Sequence, residues 1–131
     1  MSDLDDEKIE RRFLDARRQR SLVRAAARAF QPAQARGFSG VVAYEIEPFA
    51  IEPPPDAPWR WALAVDSRAG RARLLEPAPL DASVTVHLGL ADWVRVIAGT
   101  QSALATIVGG RCRVEGDVLV AARLEAMFGG R

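Results

Sequence analysis

His87 and Cys112 are the single histidine and the single cysteine of this 131-residue sequence, so any nucleophilic or acid–base chemistry is sought there first. His87 sits in the alternating stretch Val84-Thr-Val-His-Leu88, with no Ser, Cys or Asp at the spacing of a catalytic set. It therefore reads as a solvated or hydrogen-bonded strand residue. Cys112 alternates with Arg111 and Arg113, which turns it inward as a small buried apolar side chain rather than a nucleophile. A lone cysteine closes no internal disulfide and builds no zinc site by itself. The carboxylates are scattered over faces expected to point outward. No Gly-rich loop opens a helix, since Gly109-Gly110 follows one. The expectation is a protein that is not an enzyme and uses no cofactor and no metal.

Charge is the next candidate for function. The formal net charge is only +1, which gives no global pull toward nucleic acid. It is unevenly spread, however. Between Lys8 and Arg36 there are nine basic residues against two acidic ones, Glu10 and Asp15, so the remainder is acidic by about six charges. No aromatic residues interleave with these arginines to stack bases, so RNA binding ranks last. A surface helix packed loosely on the domain is the simplest reading. The sharper one is a basic amphipathic arm, with Arg11, Arg12, Arg17, Arg18, Arg24 and Arg28 meeting an anionic membrane surface or a partner enzyme.

These residues must be carried by elements, and the patterning specifies them. Ile9, Phe13, Ala16, Val23, Ala26 and Phe30 follow the helical period, predicting one helix over Asp5–Phe30 that Pro32 closes. Period-two alternation predicts five strands: Gly40–Ile46, Trp59–Asp66, Arg71–Leu75, Ser83–Leu88 and Arg111–Glu115. Val42, Tyr44 and Ile46 share one face of the first, and Trp61, Leu63 and Val65 share one face of the second. Five of the eight prolines fall between Glu47 and Pro58, predicting a semi-rigid loop whose Phe49 and Ile51 fold back as a lid or plug. Helices are predicted over Leu90–Ala98, Ala103–Val108 and Val118–Phe128, with Gly89, Ser102 and Asp117 as caps and Gly129 as the final stop. The short turns imply a mainly antiparallel sheet with helices over one face, an α+β domain.

Large apolar residues crowd the segment Ser83–Gly130. Composition alone favours a packed core, but a ligand cavity uses the same residue types. The order of motifs adds information. LADWVRVIAG (90–99), a short apolar helix ending in Gly-Gly, and then RCRVEGDVLVAARLEAMF (111–128) resemble the sterol carrier protein type 2 family, with Gly110–Asp117 the most specific piece. The resemblance covers about Phe38 to Gly130 and implies a five-stranded sheet covered on one face by helices around an apolar tunnel. The chain is accordingly read as two units, an Arg-rich N-terminal helix over 1–36, where the sequence departs from the family, and a sterol carrier protein-like lipid-binding domain over 37–131. Carried over by position, the tunnel walls are Trp93, Ile97, Leu104, Ile107, Val108, Val114, Val120, Leu124, Met127 and Phe128.

The function the resemblance implies is non-catalytic binding or transfer of a hydrophobic, lipid-like ligand: a sterol, fatty acyl chain, phospholipid or isoprenoid. The alternative is an accessory module with a filled core. It would dock on a lipid-metabolising enzyme or a membrane through the basic helix. The start MSDLDDEK is acidic with no apolar run, so no signal peptide is expected and a reducing bacterial cytoplasm is the expected compartment.

Overall fold

The computed structural model describes residues 3–47 and 60–128. The element order is α1 (Asp3–Arg12), α2 (Ala16–Arg28), α3 (Pro32–Ala35), β1 (Gly40–Ile46), β2 (Arg60–Asp66), β3 (Arg71–Leu75), β4 (Val84–Leu88), α4 (Leu90–Ile97), α5 (Ala103–Val108), β5 (Cys112–Gly116), α6 (Val118–Ala121) and α7 (Leu124–Phe128). The expectations for Phe49, Ile51, Trp59 and Gly129 lie outside the described residues.

The N-terminal helix differs from the single rod predicted. It breaks at Phe13–Asp15, because Asp15 adopts extended backbone and caps α2, its Oδ1 accepting the Arg18 amide at 2.7 Å. Periodicity reads through such a break, since a cap residue in the middle of an apolar stripe leaves the stripe intact. Pro32 likewise opens the short α3 at its first turn instead of only ending a helix. The last helix divides into α6 and α7.

The five strands form one sheet in the order β3-β2-β1-β4-β5. Neighbours are antiparallel except β1 and β4, which run parallel at the centre. The β2–β3 hairpin fills one side of β1, and the chain then returns to lay β4 along the other side in the same direction. The inward faces are those the alternation predicts: Val42, Tyr44, Ile46, Trp61, Leu63, Val65, Val84, Val86 and Leu88 are all buried.

Helices cover that face. Helix α2 lies on β2 and β3, α4 on β1, and α5 and α6 on β5. Val23 and Ala26 of α2 and the following Phe30 join the same core as Trp93, Met127 and Phe128, with the rings of Phe30 and Phe128 5.7 Å apart. Gln19, placed between arginines in sequence, is fully buried. It accepts the Trp61 indole N–H at 2.6 Å and donates to the Phe13 carbonyl at 2.7 Å, bracing the helix break against the sheet. Arg20 caps this contact from outside, stacked 5.6 Å over Trp61 and forked onto Glu76. The fork holds the Glu76 carboxyl below its ordinary range and raises the Arg20 guanidinium.

Candidate functional site

The ten predicted wall residues divide into two groups. Trp93, Ile97, Val120, Leu124, Met127 and Phe128 are closed to solvent inside the core, where Trp93 meets Tyr44 edge-on at 6.4 Å. Ile107 and Val114 are half-buried against that core. Leu104 and Val108 face outward, 52% and 79% exposed. Apolar exposure continues on α6, with Val118 at 50% and Leu119 at 73%. Thus α5 and α6 both rest on β5 and both present apolar side chains to water beside the half-buried Cys112 and Val114. The sequence reading missed Val118 and Leu119. The apolar run Val-Leu-Val-Ala at 118–121 is longer than a four-residue helix can bury, and that is the signal that could have found them.

Polar contacts fix α5 and β5 in place. The Ser102 hydroxyl accepts the Ala105 amide at 3.1 Å, and Glu125 of α7 accepts the Ala103 amide at 3.0 Å. Gln101 donates to Asp92 at 3.0 Å and to Thr106 at 2.8 Å, and Arg111 at the start of β5 reaches Asp92 at 2.8 Å. Asp117 closes the β5–α6 turn by accepting the Leu119 and Val120 amides. Within the core, the Trp93 indole N–H has no hydrogen-bond partner among the described residues.

The electrostatics suit an apolar lining. Burial pushes the Tyr44 hydroxyl above its ordinary pKa, and the charge of Glu125 adds to the shift. Burial, then the charge of Asp92, pushes the Cys112 thiol up to about 11. The thiol is therefore protonated at neutral pH and is not an activated nucleophile, as its inward register implied. Iodoacetamide should modify Cys112 at pH 8 at least about tenfold more slowly than a free thiol, since only the thiolate reacts. Its rate should keep climbing toward pH 11. A plateau below pH 9, read by mass spectrometry, would contradict this environment.

His87 departs from its expectation. Its side chain lies on the outer sheet face, as the alternation predicts, but it is only 9% exposed, and among the described residues neither ring nitrogen has a hydrogen-bond partner. It lies beside Glu47 and Glu115 and lines an open cleft of about 340 Å³ with Glu47, Gly110, Arg111, Cys112 and Arg113.

Comparison with known proteins gives these features a class. The profile of the SCP-2 sterol transfer family matches residues 22–129, and the chain belongs to that family, a lipid-binding and lipid-transport class. No curated protein matches the sequence. A conserved hypothetical protein of Thermus thermophilus, described as possibly a sterol carrier protein, is 17% identical, with 84% of this chain and 85% of that one covered at a TM-score of 0.57. Palmitated SCP2L2 from Aedes aegypti is 21% identical over 80% of this chain and 86% of that one, at 0.50. The stereoselective inverting sec-alkylsulfatase Pisa1 from Pseudomonas sp. is 17% identical over 79% of this chain but only 15% of its own, at 0.58. At such identities these likenesses establish the fold alone, which is the α+β arrangement the motif order implied.

Proposed function

We infer that the protein binds a single-chain lipid, of fatty acyl or isoprenoid type, without transforming it. The apolar tail enters between α5 and α6, crosses the inner face of β5 at Cys112 and Val114, and points toward Ile97. The observation that carries this reading is the pair of apolar helix faces left in water on α5 and α6, both of which contact β5. Leu104, Val108, Val118 and Leu119 are all at least half exposed, a concentration of apolar side chains on two helices of the kind that marks a binding surface. Family membership supplies the class of ligand, and palmitate is named in the Aedes aegypti neighbour. The unpaired Trp93 N–H adds support, because a buried donor without a partner costs about 1–3 kcal/mol and a ligand oxygen or water would satisfy it.

Burial of each methylene contributes about 0.8 kcal/mol, so a long tail needs few polar contacts. Val108→Asp and Leu119→Asp each place a charge where the tail would lie, on side chains already exposed enough to spare the fold. Each should weaken binding of a fluorescent fatty acid by about tenfold or more. Undiminished affinity in both would remove this entry route.

A second reading has its own observation. Arg11, Arg12, Arg17, Arg18, Arg24 and Arg28 are all exposed, while Arg20 is committed to Glu76. In this reading the domain is an accessory module that docks through these arginines on an anionic membrane or on a lipid-metabolising enzyme, and Pisa1 carries the same fold within a larger enzyme chain. Replacing Arg17, Arg24 and Arg28 by Gln leaves the core residues Val23 and Ala26 untouched. It should abolish any salt-sensitive binding to phosphatidylserine vesicles if this reading holds.

A further inference from the structure

On the sheet face opposite the helices, β1 carries Glu45 and β4 carries His87 directly across from it in the parallel register. Glu47 continues the same row parity past the end of β1, and its backbone amide donates to the Leu88 carbonyl at 2.8 Å, which pins it beside β4. One carboxylate oxygen from each glutamate and one imidazole nitrogen all lie within 4.8 Å of one another. The histidine Nδ1 is 3.9 Å from Glu47 Oε1, and its Nε2 is 3.5 Å from Glu115 Oε2 on the neighbouring strand β5.

A histidine more than nine-tenths buried, with neither nitrogen hydrogen-bonded among the described residues, is an unusual thing to keep. Each unmet polar atom costs about 1–3 kcal/mol. The surrounding charges show what could relieve that cost. Three carboxylates, Glu45, Glu47 and Glu115, stand against two guanidiniums, Arg60 at 2.8 Å from Glu45 and Arg113 at 3.6 Å from Glu115, while Arg111, which also lines the cleft, is paired with Asp92 at 2.8 Å, so one carboxylate of the cluster is left without a guanidinium of its own.

We propose that Glu45, Glu47 and His87 bind a divalent transition-metal ion of the zinc class, with Glu115 as the outer partner of the histidine. Nδ1 and the glutamates supply the metal ligands, while Nε2–H turns to Glu115, the arrangement that fixes a ligating imidazole in one tautomer. Arg60 engages one oxygen of Glu45 and leaves the carboxylate a second oxygen for the ion. Tetrahedral ligands at bonds of about 2.0–2.2 Å stand about 3.4 Å apart. The cluster must therefore contract by little more than an ångström, which the 55% exposed side chain of Glu47 permits. The open cleft beside His87 leaves the fourth position to water. An imidazole among carboxylates selects zinc, manganese, iron, cobalt or nickel over magnesium and calcium, which prefer all-oxygen shells.

The test is calorimetric titration of the full-length chain with zinc chloride, free of lipid, and in parallel with magnesium chloride. One zinc should bind per chain with a Kd on the order of 10 µM or tighter, and magnesium should not bind in that range. Glu47→Gln should weaken zinc by about tenfold or more, His87→Gln should abolish binding, and Glu115→Gln should cost about tenfold by releasing the imidazole it orients. Cys112→Ser should leave the affinity unchanged. Should His87→Gln fail to fold, the decision passes to Glu47→Gln and to the His87 imidazole nitrogens in NMR of the wild-type chain, where zinc should shift Nδ1. Absence of zinc binding tighter than about 100 µM, an unmoved Nδ1, an affinity unaltered by Glu47→Gln, or loss of binding in Cys112→Ser would each overturn the site. Neither outcome decides the lipid reading, which rests on Leu104, Val108, Val118 and Leu119 on α5 and α6; Cys112 borders both places.

Discussion

Gly116→Ala should destabilise the domain by about 3 kcal/mol or more, enough to leave a small domain partly unfolded at physiological temperature. Gly116 ends β5 opposite Val84 with φ +98°, a backbone conformation that side chains rarely adopt. A Cβ there would also collide with the Ser83 carbonyl oxygen and sit 3.1 Å from Val84 Cα. Both obstacles are backbone of the adjacent strand, so relief requires the β4–β5 pairing to open. The same residue turns the chain from β5 into the Asp117-capped α6, and a shift would drag Val120 out of the core and Leu119 away from the β5 rim. Gly110 provides the internal comparison. It has φ +76° but nothing within 4 Å of where a Cβ would stand, so Gly110→Ala should cost only the left-handed strain, about 1–2 kcal/mol. Equal midpoints for the two variants in urea unfolding would show that the close approach at Gly116 does not exist.

Asp6→Ala should cost roughly 2 kcal/mol through a charge on another helix. Arg95 lies in α4, all of whose residues are buried, and its Nη1 reaches Asp6 of α1 at 2.6 Å. Among the described residues its Nη2 has no hydrogen-bond partner, and Asp6 is the acceptor that makes this guanidinium tolerable. Removing one member of a fully buried pair costs about 3–5 kcal/mol; the smaller figure here reflects the 24% exposure of Asp6. The two substitutions should not add. In the Asp6→Ala background, Arg95→Met removes the stranded charge and should recover stability, a sign reversal that a double-mutant cycle reads directly. If Arg95→Met is as harmful in that background as in the wild type, the pair carries no coupling.

Much of this arrangement was legible in the chain. Strand faces follow from alternation, and the helix over 90–97 from Leu90, Trp93, Val94 and Ile97 at helical spacing. The parallel pairing of β1 with β4 was not legible, because alternation fixes which face a residue takes and says nothing about which strand lies beside it. The full burial of α4 was equally hidden. Both charged residues of α4 find partners far from the helical pattern, Arg95 on Asp6 of α1 and Asp92 on Gln101 and Arg111. Gln19 reads as surface between Arg18 and Arg20, yet its partner Trp61 is far along the chain. For the candidate site, helical period and motif order found the wall residues. They could not sort the packed ones, such as Met127, from the exposed ones, such as Val108, since both carry the same pattern. His87 was assigned the right face. That Glu45, Glu47 and Glu115 stand beside it was hidden, because the strand order and register bring them together.

If the apolar rim of α5 and α6 over β5 receives a lipid tail, an NMR titration of the isotopically labelled chain with palmitate tests it most directly. Binding should saturate at one palmitate per chain with a Kd on the order of 1–10 µM. The methyl resonances of Leu104, Ile107, Val108, Val114, Val118 and Leu119 should shift together, while those of the β2–β3 hairpin stay in place. No saturable shift up to about 100 µM palmitate, or shifts centred on the arginine face of α2 with the rim methyls unmoved, would contradict a lipid site on this rim.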